Sequence, residues 1–373
     1  MAHSHVDPDG LMEFSVVFTD RSLNHMSAVF QQVMRDISGM LKDVYKADHV
    51  AIVPGGGTYG MEAVARQFGA GAHALIVRNG WFSYRWTQIF DAGQFTAQTT
   101  VFKARQAGND TRAPFAPAPI EDVTQAIRDA RPDVVFAPHV ETSAGIILPD
   151  DYITQLAAAA HEVGALMVLD CIASGCVWVD MAATGVDVLI SAPQKGWSAS
   201  PSAGLVMMSN RAKERLDATT SNSFAIDLKK WSSIMEAYEN GGHAYHATMP
   251  TDALRAFRDT MVETRDYGFD KLRDAQWELG NAVRDMLREK GIKSVAADSY
   301  GAPGVVVSYT DDPDIQNGKK FAALGMQIAA GVPLQCDEPS DFRTFRLGLF
   351  GLDKLYDVAG TVERLRGVVD RVL

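Results

Sequence analysis

Two residues define the chemistry this chain could do. Asp170 ends the apolar run Leu166-Met167-Val168-Leu169, and Lys195 follows the apolar run Val186 to Ile190 after a short stretch of small residues and Gln194. If both runs are strands of an open α/β sheet, their ends lie at its carboxyl edge, where such folds bind ligands, and acid and amine converge on one crevice. A pyridoxal-type aldehyde needs that pair: an amine for its Schiff base and a carboxylate against the pyridine nitrogen, because a protonated ring is the better electron sink. Taken singly, each has a plainer reading, the lysine as a solvated loop residue and the aspartate as a helix cap.

The elements needed to position the pair are legible along the chain. Strands are expected at His49 to Val53, Ala74 to Arg78, Thr96 to Phe102, Val134 to Ala137 and Ala203 to Met208, alternating with helical patterns. A β-prone segment is expected at Phe14 to Thr19, then a helix from about Ser27 with Val29, Phe30, Val33, Met34, Ile37, Met40 and Leu41 on its apolar face. Helices are also expected at Ile120 to Ala130, led by Glu121 and Asp122, and at Asp151 to Val163. Residues 218 to 250 carry few regular signals. A long helical stretch from Thr251 to Glu289, bent at Gly268, marks the hinge to a remainder with strands at Gly304 to Tyr309 and Thr344 to Phe350, a helix near Lys319 to Leu324 and a terminal helix from Leu352. The expected division is a large domain over 1–265 and a small one over 266–373.

Composition bounds the partners. With 373 residues, 47% hydrophobic and 22% charged, the chain suits a soluble enzyme with a sizeable core. A net charge of −11 without a basic run argues against nucleic-acid binding. No apolar stretch reaches the roughly 20 residues of a membrane span. The start MAHSHVDPDGLMEF has neither the basic beginning nor the apolar centre of a signal peptide. Three cysteines, Cys171, Cys176 and Cys336, make neither a disulfide framework nor a zinc site, and no metal is expected. A reducing cytosol is the expected compartment.

Further segments could complete a site. Pro54-Gly55-Gly56-Gly57-Thr58 leads from a strand into a helix, which aims backbone N–H groups and the helix dipole at an anion; it is neither a Walker motif nor a Rossmann fingerprint. Trp81, Phe82 and Tyr84 follow a strand end, where an aromatic ring could stack on a pyridine or simply pack. Thr142 and Ser143 follow Glu141 in a hydroxyl-rich turn that could equally cap the next helix. Arg346, in the otherwise apolar Phe345-Arg346-Leu347-Gly348-Leu349-Phe350, suits a carboxylate, which a guanidinium binds through two parallel hydrogen bonds; Arg343 is the lesser candidate.

Over nearly its whole length the chain resembles the class V aminotransferases among the fold-type I pyridoxal phosphate enzymes, closest to the alanine-glyoxylate and serine-glyoxylate branch. The resemblance rests on Asn24-His25-Met26-Ser27, the glycine turn, Asn79-Gly80-Trp81-Phe82-Ser83-Tyr84-Arg85, His139-Val140-Glu141-Thr142-Ser143-Ala144-Gly145, Asp170 with Ser191-Ala192-Pro193-Gln194-Lys195, Tyr245-His246-Ala247-Thr248-Met249-Pro250, and Phe345-Arg346-Leu347-Gly348. It implies a large domain with a mostly parallel seven-stranded sheet between helices plus a smaller C-terminal α+β domain. It implies pyridoxal 5'-phosphate on Lys195, Asp170 at the ring nitrogen, Phe82 stacked on the ring and Thr142 at the ring oxygen. Gly56, Gly57, Thr58 and Gln194 would hold the phosphate together with Tyr245 and Thr248 from a second subunit of an obligate homodimer, and Arg346 would hold the substrate acid. The expected reaction moves an amino group from a small amino acid such as alanine or serine to glyoxylate or pyruvate.

Two departures bear on the substrate. Relatives carry a Gly-Pro-Gly-Pro turn near the substrate where this chain has Phe18-Thr19-Asp20-Arg21. Val332-Pro333-Leu334-Gln335-Cys336-Asp337-Glu338 reads as an extra loop bordering the donor. The alternatives are therefore a cysteine desulfurase or related lyase using Cys336, which needs a thiolate, or a transaminase for an aminophosphonate or aspartate.

Overall fold

The computed structural model describes residues 5–108 and 110–373; residues 1–4, at the head of the start read above for a signal peptide, lie outside them. Seven strands form the principal sheet: β1 (His49–Pro54), β2 (His73–Arg78), β3 (Gln98–Lys103), β4 (Val134–Pro138), β5 (Leu166–Asp170), β6 (Val188–Ser191) and β7 (Ala203–Met208). Their spatial order is β1-β7-β6-β5-β4-β2-β3. Six run parallel; β7 alone is antiparallel to both its neighbours. The central strands β4 and β5 are buried along their whole length, as expected for a parallel sheet covered on both faces.

Helices cover this sheet. α1 (Ala28–Tyr45) begins where the Ser27 side chain accepts from the Phe30 N–H, and it buries Phe30, Val33, Met34, Ile37 and Leu41. α2 (Gly57–Phe68) and α3 (Trp81–Gly93) start directly after β1 and β2, so both N-termini open at the carboxyl edge. α4 (Ile120–Ala130) and α5 (Asp150–Glu162) follow, each with two acids in its first turn, which suits the positive end of a helix.

Three sequence expectations need correction. Residues 14–19 form no strand: most of them are exposed and they ladder with no other segment among the described residues, and β propensity without a partner strand or a buried face makes no sheet. The region 218–250 contains a helix, α6 (Leu228–Glu239), capped by Asp227 and burying Leu228, Trp231, Ile234, Met235 and Tyr238 at helical spacing. The long helical stretch is two helices, α7 (Thr251–Tyr267) and α8 (Phe269–Glu289), parted at Gly268, whose φ of 113° a side chain would strain.

Beyond α8, Val305–Tyr309, Thr344–Gly348 and the short Ala329–Ala330 make a second, three-stranded sheet. The terminal helix is broken, with one turn at Leu352–Leu355 and then Val358–Val372 capped by Asp357. A second apolar cluster around Leu279, Val283, Phe345 and Leu347 sits under this sheet, apart from the main core around β5 and β6.

Candidate active site

The strand ends deliver acid and amine to one place. Ile190 of β6 pairs with Asp170 of β5, and the chain leaving β6 brings Gln194 and Lys195 back over the same edge. Asp170 and Lys195 line one cavity of about 460 Å³. Gly56, Gly57 and Thr58 from the start of α2, Phe82 from α3, Thr142 from the turn after β4, and Arg346 from the second sheet line it too. Nine of the eleven side chains or backbones singled out from sequence thus meet.

Asp170 is buried, and its Oδ1 accepts from the Ile172 N–H at 2.9 Å. Burial pushes its carboxyl up to about 7, that single hydrogen bond opposing, with the Glu141 charge adding to the rise and Arg85 working against it. Lys195 is held below the usual lysine range by burial first, then by the charges of Arg346 and Arg85. Its Nζ sits 5.2 Å from the centre of the Phe350 ring.

Glu141 serves the site from below. Its carboxylate accepts from the Phe82 and Ser83 N–H groups at 3.2 and 2.9 Å, from the Ser83 hydroxyl at 2.7 Å, and from the Ser143 N–H and hydroxyl at 3.0 and 2.7 Å. It therefore caps α3 and fixes the turn bearing Thr142. His139 is also scaffold: it is fully enclosed, bonded through Nδ1 to Ser174 Oγ at 2.7 Å, and lowered by burial to about 4, hence neutral.

Phe82 rather than Trp81 reaches the cavity; Trp81 packs on Tyr84 with ring centres 5.9 Å apart. Two guanidinium groups lie near the Phe82 ring, Arg85 at 4.8 Å and Arg346 at 5.5 Å from its centre. Arg346 also donates from Nε to the Ala330 carbonyl at 2.8 Å, which aims its fork. Arg343 bonds the Asp311 carbonyl at 2.6 Å, away from the cavity.

Tyr245 and Thr248 do not enter this cavity; their hydroxyls lie 3.3 Å apart, with Tyr245 57% exposed. The Cys336 loop does not border it either. That thiol is buried, donates toward the Arg78 carbonyl at 3.4 Å, and is raised to about 12 by burial and by the carboxylates of Glu141 and Glu338. Phe18 lies against His25, ring centres 5.5 Å apart, and is absent from the cavity wall.

Among the wall residues that sequence reasoning passed over, three bear on the chemistry. Arg85 lies three positions after Phe82 on α3, a spacing that shares a helix face, and its Nη1 donates to Thr58 Oγ1 at 3.1 Å. Ile172 and Phe350 follow Asp170 and Arg346 by two and four residues and complete the apolar wall.

The residues suit pyridoxal phosphate. The raised Asp170 carboxyl lacks the cationic partner that a protonated ring nitrogen provides. Gln194 has a buried Oε1 without a partner among the described residues, so its amide is not committed elsewhere. The α2 N-terminus presents amides with no intrahelical acceptor to an anion beside Arg85. Among the described residues no group of three or more His, Cys, Asp or Glu is placed to hold a metal ion, and no helix is long and apolar enough to cross a membrane.

Known proteins resemble this chain over most of its length. Residues 13–308 match the family Aminotransferase class-V. The alanine–glyoxylate aminotransferase 1 of Saccharomyces cerevisiae is 25% identical over 330 residues, 83% of this chain and 82% of that protein. A protein of Synechococcus sp. named soluble hydrogenase, small subunit, is 25% identical over 350 residues, 93% of this chain and 87% of its own length. The crystal structure of alanine–glyoxylate aminotransferase from Nostoc sp. superposes with a TM-score of 0.76 at 22% identity, covering 94% of this chain and 89% of that one.

Proposed function

Because the chain belongs to the class-V aminotransferases, enzymes that work with pyridoxal phosphate, we propose that it passes an amino group from a small amino acid, alanine or serine, to a small 2-oxo acid such as glyoxylate or pyruvate. What carries this reading is the meeting of Asp170, Lys195 and Arg346, from three separate segments, around one cavity. When bound, pyridoxal phosphate supplies an aldehyde that condenses with amines and a ring that accepts the electron pair left at the substrate Cα.

The protein's own part is to hold, orient and move protons. Lys195 Nζ, depressed by burial and by two guanidinium neighbours, is poised as a base: it would hold the cofactor and, once free of it, move a proton between the substrate Cα and the cofactor carbon on the far side of the transferred nitrogen. Asp170 would hold the ring nitrogen in its protonated form, and this pairing would lower the carboxyl from its raised value. Gly56, Gly57, Thr58 and Gln194 hold the phosphate, with Arg85 supplying positive charge through Thr58. Phe82 would cover the ring and Thr142 would meet its hydroxyl, since both line the cavity. Arg346 grips the substrate carboxylate and so orients the Cα–H bond toward Lys195.

A small donor is favoured because Arg85 is engaged at the phosphate end. That leaves Arg346 among Val305, Ala329, Gly348 and Phe350, walls with no further charge for a second acidic group. Tyr245 and Thr248, exposed on their own subunit, reach the phosphate of a second copy in a homodimer. Mixing chains carrying Lys195→Ala with chains carrying Tyr245→Phe and Thr248→Ala should then restore up to half of the sites, whereas neither parent alone matches that activity.

The deciding experiment is spectroscopic. The purified protein should be yellow with pyridoxal phosphate and bleach on adding the true donor, found by screening amino acids and aminophosphonates against glyoxylate, pyruvate and 2-oxoglutarate. Lys195→Ala should abolish the lysine-bound absorption and lower turnover by about 10⁴-fold. A colourless wild type that takes up no pyridoxal phosphate would sink the proposal. Sulfide release from cysteine, which the buried Cys336 disfavours, would redirect it to desulfurase chemistry.

A further inference from the structure

The Lys195 amine has no hydrogen-bond or ion-pair partner among the described residues; the group it faces is the Phe350 ring, 5.2 Å away at its centre. The surroundings hold the two together. A Cβ on Gly196, next to the lysine, would overlap the Gly175 backbone, so these loops touch directly. Gly175 borders the Phe350 ring, with an ideal Cβ 3.6 Å from Cε1, and a Cβ on Gly304 would come within 2.8 Å of the same atom. The residue before Phe350 is pinned as well: the Leu349 N–H donates to the Gly304 carbonyl at 2.9 Å, and its carbonyl accepts from the buried Gln276 amide at 3.2 Å. Neither the ring nor the base of the lysine can drift without breaking this packing.

The charges around the amine do not provide a rival seat. Arg346, four residues before Phe350, and Arg85, from α3, are both positive and repel it. Asp170 lines the same cavity but makes no ion pair with the amine among the described residues, and Glu141 is consumed by five donors. The negative face of an aromatic ring attracts an ammonium without competing for its protons.

We propose that Phe350 is a positioning residue for Lys195: its ring face seats the lysine nitrogen as the ammonium formed once the freed amine has taken up a proton, keeping that proton beside the reacting carbons. This rests on Lys195 being the cofactor lysine. The ring stabilises the charged amine, so it raises the proton affinity that burial and the two guanidinium groups lower. Weakening the ring face must therefore move the amine's titration to lower pH.

The test is competitive labelling of Lys195 with acetic anhydride across pH, read by peptide mass spectrometry, on the full-length protein freed of pyridoxal phosphate. Phenylalanine at 350 is replaced by its mono-, di- and trifluorinated forms, which drain charge from the ring face and nearly keep its shape, and separately by leucine. The half-point of labelling should fall stepwise with each fluorine, and by about 0.4–1.5 pH units in Phe350→Leu. A half-point that stays fixed through the fluorinated series overturns the proposal, even if Phe350→Leu moves it, since packing alone would then be responsible. The readout does not need the cofactor to bind, so a protein without a yellow band would refute the transaminase reading and leave this measurement able to decide for or against Phe350.

Discussion

Two buried carboxylates stand on neighbouring strand ends, Asp170 closing β5 and Glu141 just beyond β4, and the protein treats them in opposite ways. Glu141 is fully enclosed and accepts five hydrogen bonds from the start of α3 and the Ser143 turn. Asp170 is nearly as buried yet accepts from the Ile172 N–H alone, and its proton affinity is raised accordingly. A carboxylate that meets all its donors inside the chain is scaffold. One that the fold isolates and leaves short of partners is waiting for a cation from outside.

Substitution at each acid probes that contrast. Asp170→Asn should lower turnover by on the order of 10³-fold, because a neutral amide cannot hold the ring nitrogen protonated. The cofactor-free protein should respond the other way. With its folded carboxyl raised to about 7, Asp170 keeps a proton that the unfolded chain has already lost, so wild-type stability falls as pH rises from about 4 to 7. Asp170→Asn removes that decline and should be the more stable by on the order of 3 kcal/mol above pH 7; parallel denaturation curves at pH 5 and 8 without cofactor check it. Equal stability at both pH values would break the contrast.

Glu141→Gln should do the reverse, costing on the order of 3 kcal/mol of stability by turning part of an acceptor into a donor facing N–H groups. Activity per folded molecule should stay within about tenfold, as read by turnover normalised to active-site titration. The smallest effect is expected from Cys336→Ala. Its thiol lies outside the cavity, so transamination should be unchanged and stability should fall by about 1 kcal/mol. A loss of turnover there would place a third buried acid on the side of chemistry.

Asp170 and Lys195 were readable because each ends or follows a continuous apolar run, so their convergence needs only the general rule for parallel sheets. Arg346 stood out as a charge inside an apolar strand. Arg85 did not, because its part depends on the turn of α3 that carries it over Thr58. Phe350 looked like core because a ring beside an amine has no signature in one dimension. The helix Leu228–Glu239 did carry a helical spacing of large apolar residues, but it sits among loops that obscure it. Residues 14–19 failed for the opposite reason: their composition suits a strand, and pairing partners are a property of the fold.

Arg346 and Phe350 belong to the segment of the second sheet, which shares no strand with the sheet that ends in Asp170 and leads to Lys195. The guanidinium proposed to grip an incoming acid and the pair proposed to move its nitrogen are thus mounted on separate frames that meet across the cavity. A slight re-seating of one frame on the other would alter how far the acid stands from the amine while every contacting side chain kept its identity. Substrate taste in such a molecule can drift through replacements remote from any bound atom, and a comparison confined to the lining of the cavity would miss them.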